Sequence, residues 1–194
     1  MKYLTVEEEE KFFQTVKKNK THSTLFQLML DYGMRISEIV RLKEENVDME
    51  NRRITITRSK RKREPTNDYR LTDECYRKLK SYLKLWRKKE VVKAGNPYLF
   101  ISQKTAGVNE QMRTWNVGHL FRKYAAMAGI SKTNPHCLRH TCAVRLVSKG
   151  LSQWDVKDRL WHSSVISSQT YVQLFGEEKK EQDRRCEEAL RSIG

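Results

Sequence analysis

The chain has 194 residues, of which 38% are hydrophobic, and its 39 Lys and Arg against 24 Asp and Glu give a formal net charge of +15. This apolar content is enough to bury the core of one domain, which excludes a disordered tail protein. No apolar run approaches the roughly 18 residues of a membrane span, and the first residues contain no apolar signal core. Membrane insertion and secretion are therefore disfavoured, and we expect a cytoplasmic protein.

The positive charge is concentrated in the middle of the chain. Residues 51–150 contain 24 basic and 6 acidic side chains, whereas the two ends are close to neutral. Clustered cations gain counterion-release free energy on phosphates, so this distribution favours nucleic-acid binding. A ribosome-associated protein or a merely solvated basic surface is the alternative on charge alone.

The first part of the chain predicts three helices. Thr5 and Glu8 form a capping box that starts a helix over residues 5–18. A second apolar run ends at Gly33, a glycine suited to a left-handed helix stop, and Ser37 is placed to cap a short third helix. The chain therefore begins with ordered structure.

A small antiparallel sheet is predicted next. Ile54 and Ile56 alternate with polar residues, and the same period resumes at Tyr69 and Leu71. Residues 58–63, between them, are basic at five of six positions and form the expected hairpin. The predicted fold class is mainly α with a small antiparallel β-sheet, an α+β fold.

The rest of the chain is predicted to be mainly helical. Thr72 and Asp73 start one helix, residues 115–128 form a second, Pro135 opens a third that runs to Gly150, and Ser152 caps a fourth. Aromatic residues at helical spacing are expected in the core rather than on base-stacking surfaces. This expectation covers Trp115, Tyr124 and Trp154.

The cysteines do not suggest a metal site. Cys75, Cys137, Cys142 and Cys186 lack CxxC spacing, and a zinc ion near His136 would have Arg139 beside it with no second ligand cluster downstream. We therefore expect no bound metal.

Two arginines and one histidine suit the binding of a phosphodiester. Arg35 follows Gly33 at the start of a helix, and Arg139 lies just inside another helix. A planar guanidinium beside free helix-terminal N–H groups can hold phosphate oxygens, and His136, close to one turn before Arg139, can exchange a proton near neutral pH. Taken singly, each arginine would more often form a salt bridge.

Five motifs, read together, resemble the catalytic domain of tyrosine recombinases, the phage-integrase and Xer-like family. They occur in the order and at the spacings typical of that family and cover residues 5–176. The motifs are residues 32–39 (YGMRISEI), 54–57 (ITIT) with the basic hairpin, 135–141 (PHCLRHT), 160–164 (LWHSS) and 169–171 (QTY).

The resemblance implies a role for each matching residue. Tyr171 would be the nucleophile, Arg35 and Arg139 would hold the non-bridging phosphate oxygens, His136 would assist proton removal and His162 would hydrogen-bond the phosphate. A hairpin lysine, Lys60 or alternatively Lys62, would protonate the departing 5′-oxygen, and Glu38 would support the arginines. The predicted DNA-binding residues are Arg58, Arg61, Lys62, Arg63 and His140.

The resemblance also implies how the protein works. It would recombine specific sites in double-stranded DNA through a 3′-phosphotyrosyl intermediate, as a tetramer on DNA and a monomer when free. No cofactor is expected, because two arginines and a histidine can stabilise the transition state without a metal and the phosphotyrosyl bond conserves the energy of the broken linkage. A topoisomerase or hairpin resolvase using the same chemistry is one alternative, and a non-catalytic DNA-binding accessory protein is another.

Two departures from the family pattern stand out. Trp161 replaces the glycine that usually precedes the third-motif histidine, which we expect to alter local packing. Residues 1–176 are expected to be the catalytic domain, and residues 177–194 a helical tail that docks on a neighbouring protomer. No N-terminal core-binding domain is expected, so the chain is either a catalytic fragment or a short, single-domain member.

Overall fold

The computed structural model describes residues 3–57, 66–84, 95–101, 111–132, 134–160 and 184. The described part is mainly helical with a small sheet, which confirms the predicted fold class. Its helices are α1 (Val6–Val16), α2 (Lys20–Asp31), α3 (Ile36–Arg41), α4 (Asp73–Tyr82), α5 (Thr114–Met127), α6 (His136–Ser148) and α7 (Gln153–Leu160). Its strands are β1 (Val47–Asp48), β2 (Arg53–Thr57) and β3 (Thr66–Arg70).

Helix caps explain most of these boundaries. The Thr5 side chain accepts a hydrogen bond from the Glu8 N–H, and the Glu8 carboxylate accepts one from the Thr5 N–H, so the predicted capping box is confirmed. Ser152 and Asp155 form the same reciprocal pair at the start of α7. Ser37 is not a cap, which corrects the prediction, because α3 already begins at Ile36.

The three described strands form an antiparallel sheet in the order β1, β2, β3. Ile54 faces Tyr69 and Thr57 faces Thr66 across the β2–β3 pair. Ile54 and Ile56 are almost completely buried, which confirms the predicted alternation. The sheet therefore positions the two strands that flank residues 58–65, and the predicted basic hairpin lies outside the described residues.

Two of the tryptophans expected in the core are on the surface. Trp115 is 64% exposed and Trp154 is 57% exposed, whereas Tyr124 is buried as expected. Each exposed tryptophan lies two positions before a buried valine, Val117 or Val156. Two positions on a helix turn through about 200°, so each tryptophan faces away from the buried side.

The chain divides into two compact units, Met1–Thr141 and Cys142–Gly194. The first unit has a core of aliphatic and aromatic side chains from α1 to α5, in which Phe12 packs against Phe26 and Phe121 at ring-centre distances of 5.2 and 5.1 Å. The described part of the second unit has a smaller cluster around Val156 and Leu160. No helix among the described residues is both long and apolar enough to cross a membrane.

Candidate active site

The end of α2 forms a tight turn that carries the first predicted arginine. Tyr32 is the C-cap residue, and Gly33 follows in the left-handed region with φ +58°. The Met34 N–H donates to the Met29 carbonyl at 3.1 Å, which is the long hydrogen bond of a Schellman motif. This turn ends α2 and places Arg35 at the N-cap position of α3.

Arg35 is held by a buried carboxylate. Its backbone N–H donates to Glu38 Oε2 at 2.8 Å, and its guanidinium Nη1 donates to Glu38 Oε1 at 2.9 Å. The Glu38 side chain is only 1% exposed, whereas that of Arg35 is 35% exposed. One carboxylate therefore orients both the main chain and the side chain of Arg35, while about a third of that side chain stays exposed.

Arg139 reaches the same turn from α6. It is the fourth residue of the helix that begins at His136, and it is 4% exposed. Its Nη1 donates to the Gly33 carbonyl at 2.5 Å, across 106 positions of sequence. The predicted arginines are therefore joined to the same three-residue turn, Arg35 by the chain itself and Arg139 by this hydrogen bond.

His136 lies within the electrostatic field of both arginines. Desolvation lowers its pKa, the positive charges of Arg139 and Arg35 lower it further, and Glu38 partly opposes them. Its backbone N–H donates to Asn134 Oδ1 at 3.0 Å at the start of α6. The imidazole is accordingly neutral at neutral pH and able to accept a proton.

His140 follows one helical turn after His136. Burial lowers its pKa to about 4, with the neighbouring His136 and Arg139 adding to the shift. A neutral ring at this position can hydrogen-bond to DNA but contributes no positive charge. Its predicted role in DNA binding stays a prediction.

This cluster has the chemistry of an oxyanion site. Arg35 pairs with Glu38 and Arg139 binds the Gly33 carbonyl, so the described cluster has two guanidinium groups, one carboxylate and an excess of positive charge near a neutral imidazole. Guanidinium groups present several donors in one plane and suit phosphate oxygens. No group of three or more potential metal ligands occurs among the described residues.

The structure brings together Arg35, Glu38, His136 and Arg139, with His140 one turn further along α6. The contact between Arg139 and the Gly33 carbonyl was missed, since a main-chain acceptor has no signal in the sequence. The remaining predicted site residues lie outside the described part of the chain. They are Arg58, Lys60, Arg61, Lys62, Arg63, His162 and Tyr171.

The model of the phage integrase family matches residues 2–178 of this chain. The chain belongs to the phage integrase family. The resemblance inferred from the five motifs is thereby confirmed, and the motif region inferred from sequence falls within the matched region.

Named relatives agree with this membership. Tyrosine recombinase XerA of Pyrococcus furiosus is 28% identical over 186 residues, which cover 95% of this chain and 62% of XerA. A tyrosine recombinase of Pseudothermotoga lettingae is 30% identical over 178 residues, which cover 91% of this chain and 58% of the relative. The integrase-family chain thus spans about 60% of the length of these two relatives.

Solved structures show the same fold. The crystal structure of a XerA recombinase superposes with a TM-score of 0.78 at 26% identity, covering 94% of this chain and 65% of that one. XerH bound to a palindromic difH substrate, in a post-cleavage complex, gives a TM-score of 0.75 at 24% identity and covers 94% and 52%. The described helices and sheet therefore have the fold of a tyrosine recombinase catalytic domain.

Proposed function

We propose that this chain is the catalytic part of a site-specific DNA recombinase that cleaves and rejoins duplex DNA through a covalent 3′-phosphotyrosyl intermediate. The observation that carries the proposal is the joining of Arg35 and Arg139 at the Gly33 turn, with neutral His136 in their field. The family membership and the relatives named tyrosine recombinases support it.

The described residues suit the charge that develops during cleavage. The phenol oxygen of Tyr171 attacks phosphorus and forms a new P–O bond, and the bond from phosphorus to the 5′-oxygen breaks. Arg35 and Arg139 bind the two non-bridging oxygens, on which negative charge increases in the pentacoordinate transition state. The hydrogen bonds to Glu38 and to the Gly33 carbonyl hold the two guanidinium groups in place before the substrate binds.

Two protons must move in this step. A phenol with a pKa near ~10 is a poor nucleophile at pH 7, so His136 accepts its proton. Lys60 or Lys62 donates a proton to the departing 5′-oxygen, and His162 hydrogen-bonds the phosphate. Rejoining reverses these transfers when a 5′-hydroxyl attacks the phosphotyrosyl bond, so neither ATP nor a metal is required.

The wider setting is part of the same proposal. Arg58, Arg61, Lys62 and Arg63 bind the DNA backbone together with His140, and a tetramer assembles on two duplex sites. Residues 177–194 dock on a neighbouring protomer in that assembly. The cytoplasm is the proposed compartment, in which the buried thiols of Cys75, Cys137 and Cys142 would stay reduced.

Covalent trapping tests the proposal. A pool of nicked duplexes with randomised sequence around the nick is incubated with the 194-residue chain, and DNA that stays bound after denaturation is sequenced. The wild-type chain and Tyr98→Phe, a change on the 95–101 segment, should form the adduct, whereas Tyr171→Phe should not. An adduct that persists in Tyr171→Phe would refute the nucleophile.

Two further outcomes separate the alternatives. Arg35→Ala and Arg139→Ala should abolish trapping while largely retaining DNA affinity, because the hairpin supplies most phosphate contacts. DNA binding by the wild-type chain with no adduct on any duplex would favour an accessory protein. Relaxation of a supercoiled plasmid that lacks the recovered site would favour a topoisomerase.

A further inference from the structure

Tyr32 makes two hydrogen bonds to one short stretch of main chain. Its hydroxyl donates to the Arg70 carbonyl at 3.1 Å and accepts from the Thr72 N–H at 3.0 Å. The residue is fully buried, and its ring lies 5.7 Å from the ring of Tyr69. The hydroxyl therefore satisfies a donor and an acceptor where β3 ends and α4 begins.

Asp31, the residue before Tyr32, hydrogen-bonds to the same segment. Asp31 Oδ2 accepts from the Thr72 hydroxyl at 2.6 Å and from Cys75 Sγ at 3.3 Å, and Oδ1 accepts from Gln27 Nε2 at 2.8 Å. A carboxylate is favourable at the first turn of α4, where the helix dipole is positive. Two adjacent residues thus fasten the end of α2 to the β3–α4 junction.

This fastening is next to the candidate active site along the chain. Gly33, which follows Tyr32, supplies the carbonyl that Arg139 binds, and Arg35 is two residues further on. A shift of the Tyr32 main chain would therefore move the acceptor of one arginine and the backbone of the other. The site lies on a turn whose position depends on how α2 ends.

We propose that Tyr32 is a positioning residue for the recombination reaction, in which its hydroxyl fixes the Gly33 turn and so aligns Arg35 and Arg139 on the scissile phosphate. This role rests on the proposed function. Misplacement of a reacting group by about 1 Å can cost about 100-fold in rate even when the cause is remote, so one hydroxyl at this place is enough to matter.

Tyr32 itself takes no part in the chemistry. Burial raises the pKa of its hydroxyl well above the usual value, with Cys75 adding to the shift, so the group stays a neutral phenol. Both of its hydrogen-bonding directions point to main-chain atoms of Arg70 and Thr72. It is therefore distinct from Tyr171, which the proposed function requires to lose its proton.

The test compares Tyr32→Phe with the wild-type chain on two substrates of the sequence recovered by trapping. One duplex has a normal phosphodiester at the cleavage position next to the nick. The other has a methylphosphonate there, in which a methyl group replaces one non-bridging oxygen, so the linkage is uncharged. The arginines stabilise less developing charge on the second substrate, so errors in their position should matter less. Affinity for the uncleaved duplex and thermal unfolding are measured on the same samples.

Tyr32→Phe should cleave the phosphodiester about 10- to 100-fold more slowly, while the loss on the methylphosphonate should be no more than about threefold. DNA affinity should change less than about twofold, because the hydroxyl touches no predicted DNA contact. Tyr124→Phe is the matched control. Its hydroxyl meets His22 Nδ1 at 2.9 Å in the same core but away from the Gly33 turn, so its cleavage rate should match that of the wild type.

Other results would overturn the role of Tyr32. They are equal losses on the two substrates, no loss on the phosphodiester, or loss of DNA affinity in parallel with cleavage. If Tyr32→Phe does not fold, Thr72→Ala and Thr72→Pro provide the comparison. Both remove the hydroxyl that binds Asp31 and caps α4, and only proline also removes the N–H that donates to Tyr32, so only proline should show the substrate-dependent loss. A wild-type chain that cleaves neither duplex would instead refute the proposed function.

Discussion

The buried carboxylate of Glu38 offers the sharpest test of how the site is held together. Glu38→Gln keeps the size of the side chain and one oxygen acceptor but removes the charge. Glutamate accepts from both the N–H and the Nη1 of Arg35, at 2.8 and 2.9 Å. In the variant, the amide oxygen can accept only one of these bonds, and the amide NH2 faces the other donor.

The magnitude follows from these contacts. A hydrogen bond to a charged group contributes about 1.5–3 kcal/mol. The Arg35 side chain is 35% exposed, so solvent screening reduces the loss to about 1–2 kcal/mol. For a chain of this size, each kcal/mol shifts Tm by about 2–4 °C, so Glu38→Gln should lower Tm by roughly 2–8 °C. Cleavage should decrease by about 10- to 100-fold as Arg35 loses its orientation.

Circular dichroism melting at pH 7 and the covalent trapping assay measure the two effects. Glu7→Gln is the control, because Glu7 pairs with Lys11 at 2.7 Å on the surface and its side chain is 76% exposed. That variant should melt and cleave as the wild type does. If Glu38→Gln did the same, the Glu38 carboxylate would not be what orients Arg35.

Two other predictions concern stability. The pKa of His22 is lowered to about 4 by burial and by Lys123, so below about pH 6.5 the unfolded chain binds more protons than the folded one, and the unfolding free energy should decrease as the pH falls from 6.5 towards 4. Urea unfolding across this range should show a shallower decrease in His22→Gln, and an unchanged slope would contradict the assignment. Gly33→Ala should destabilise by about 1–2 kcal/mol, because Gly33 has φ +58°, whereas Gly118→Ala should stabilise α5 by about 0.5–1 kcal/mol, since its Cβ would only meet Arg122 Nη1 at an ordinary 3.6 Å. Urea midpoints that move in the same direction for both variants would contradict the argument from backbone conformation at one of the two positions.

Local patterns predicted much of the fold. The Thr5 cap, the Gly33 stop and the Ile54–Ile56 alternation each depend on neighbours within a few residues, and the structure confirms all three. Ser37 was mistaken for a cap because serine is a favoured cap residue, yet here the Glu38 carboxylate accepts from the N–H of Arg35 and the helix starts earlier.

Features that depend on long-range packing were not predicted correctly from the sequence. Trp115 and Trp154 are large and apolar, but helix rotation places Val117 and Val156 on the buried sides instead. In the site, residue types and motif order predicted Arg35, His136 and Arg139. The Gly33 and Tyr32 contacts could not be predicted, because they join main-chain atoms to residues 38 or more positions away.

The hydrogen bond between Arg139 and the Gly33 carbonyl has a consequence for how this protein tolerates mutation. Every residue has a carbonyl, so no substitution at position 33 can delete the acceptor; it can only be displaced by altering the backbone. The guanidinium of Arg35 depends on a side chain that a single base change can remove, whereas the anchor of Arg139 is built into the peptide chain. Random substitutions can therefore remove the hydrogen-bond acceptor of Arg35 more readily than that of Arg139.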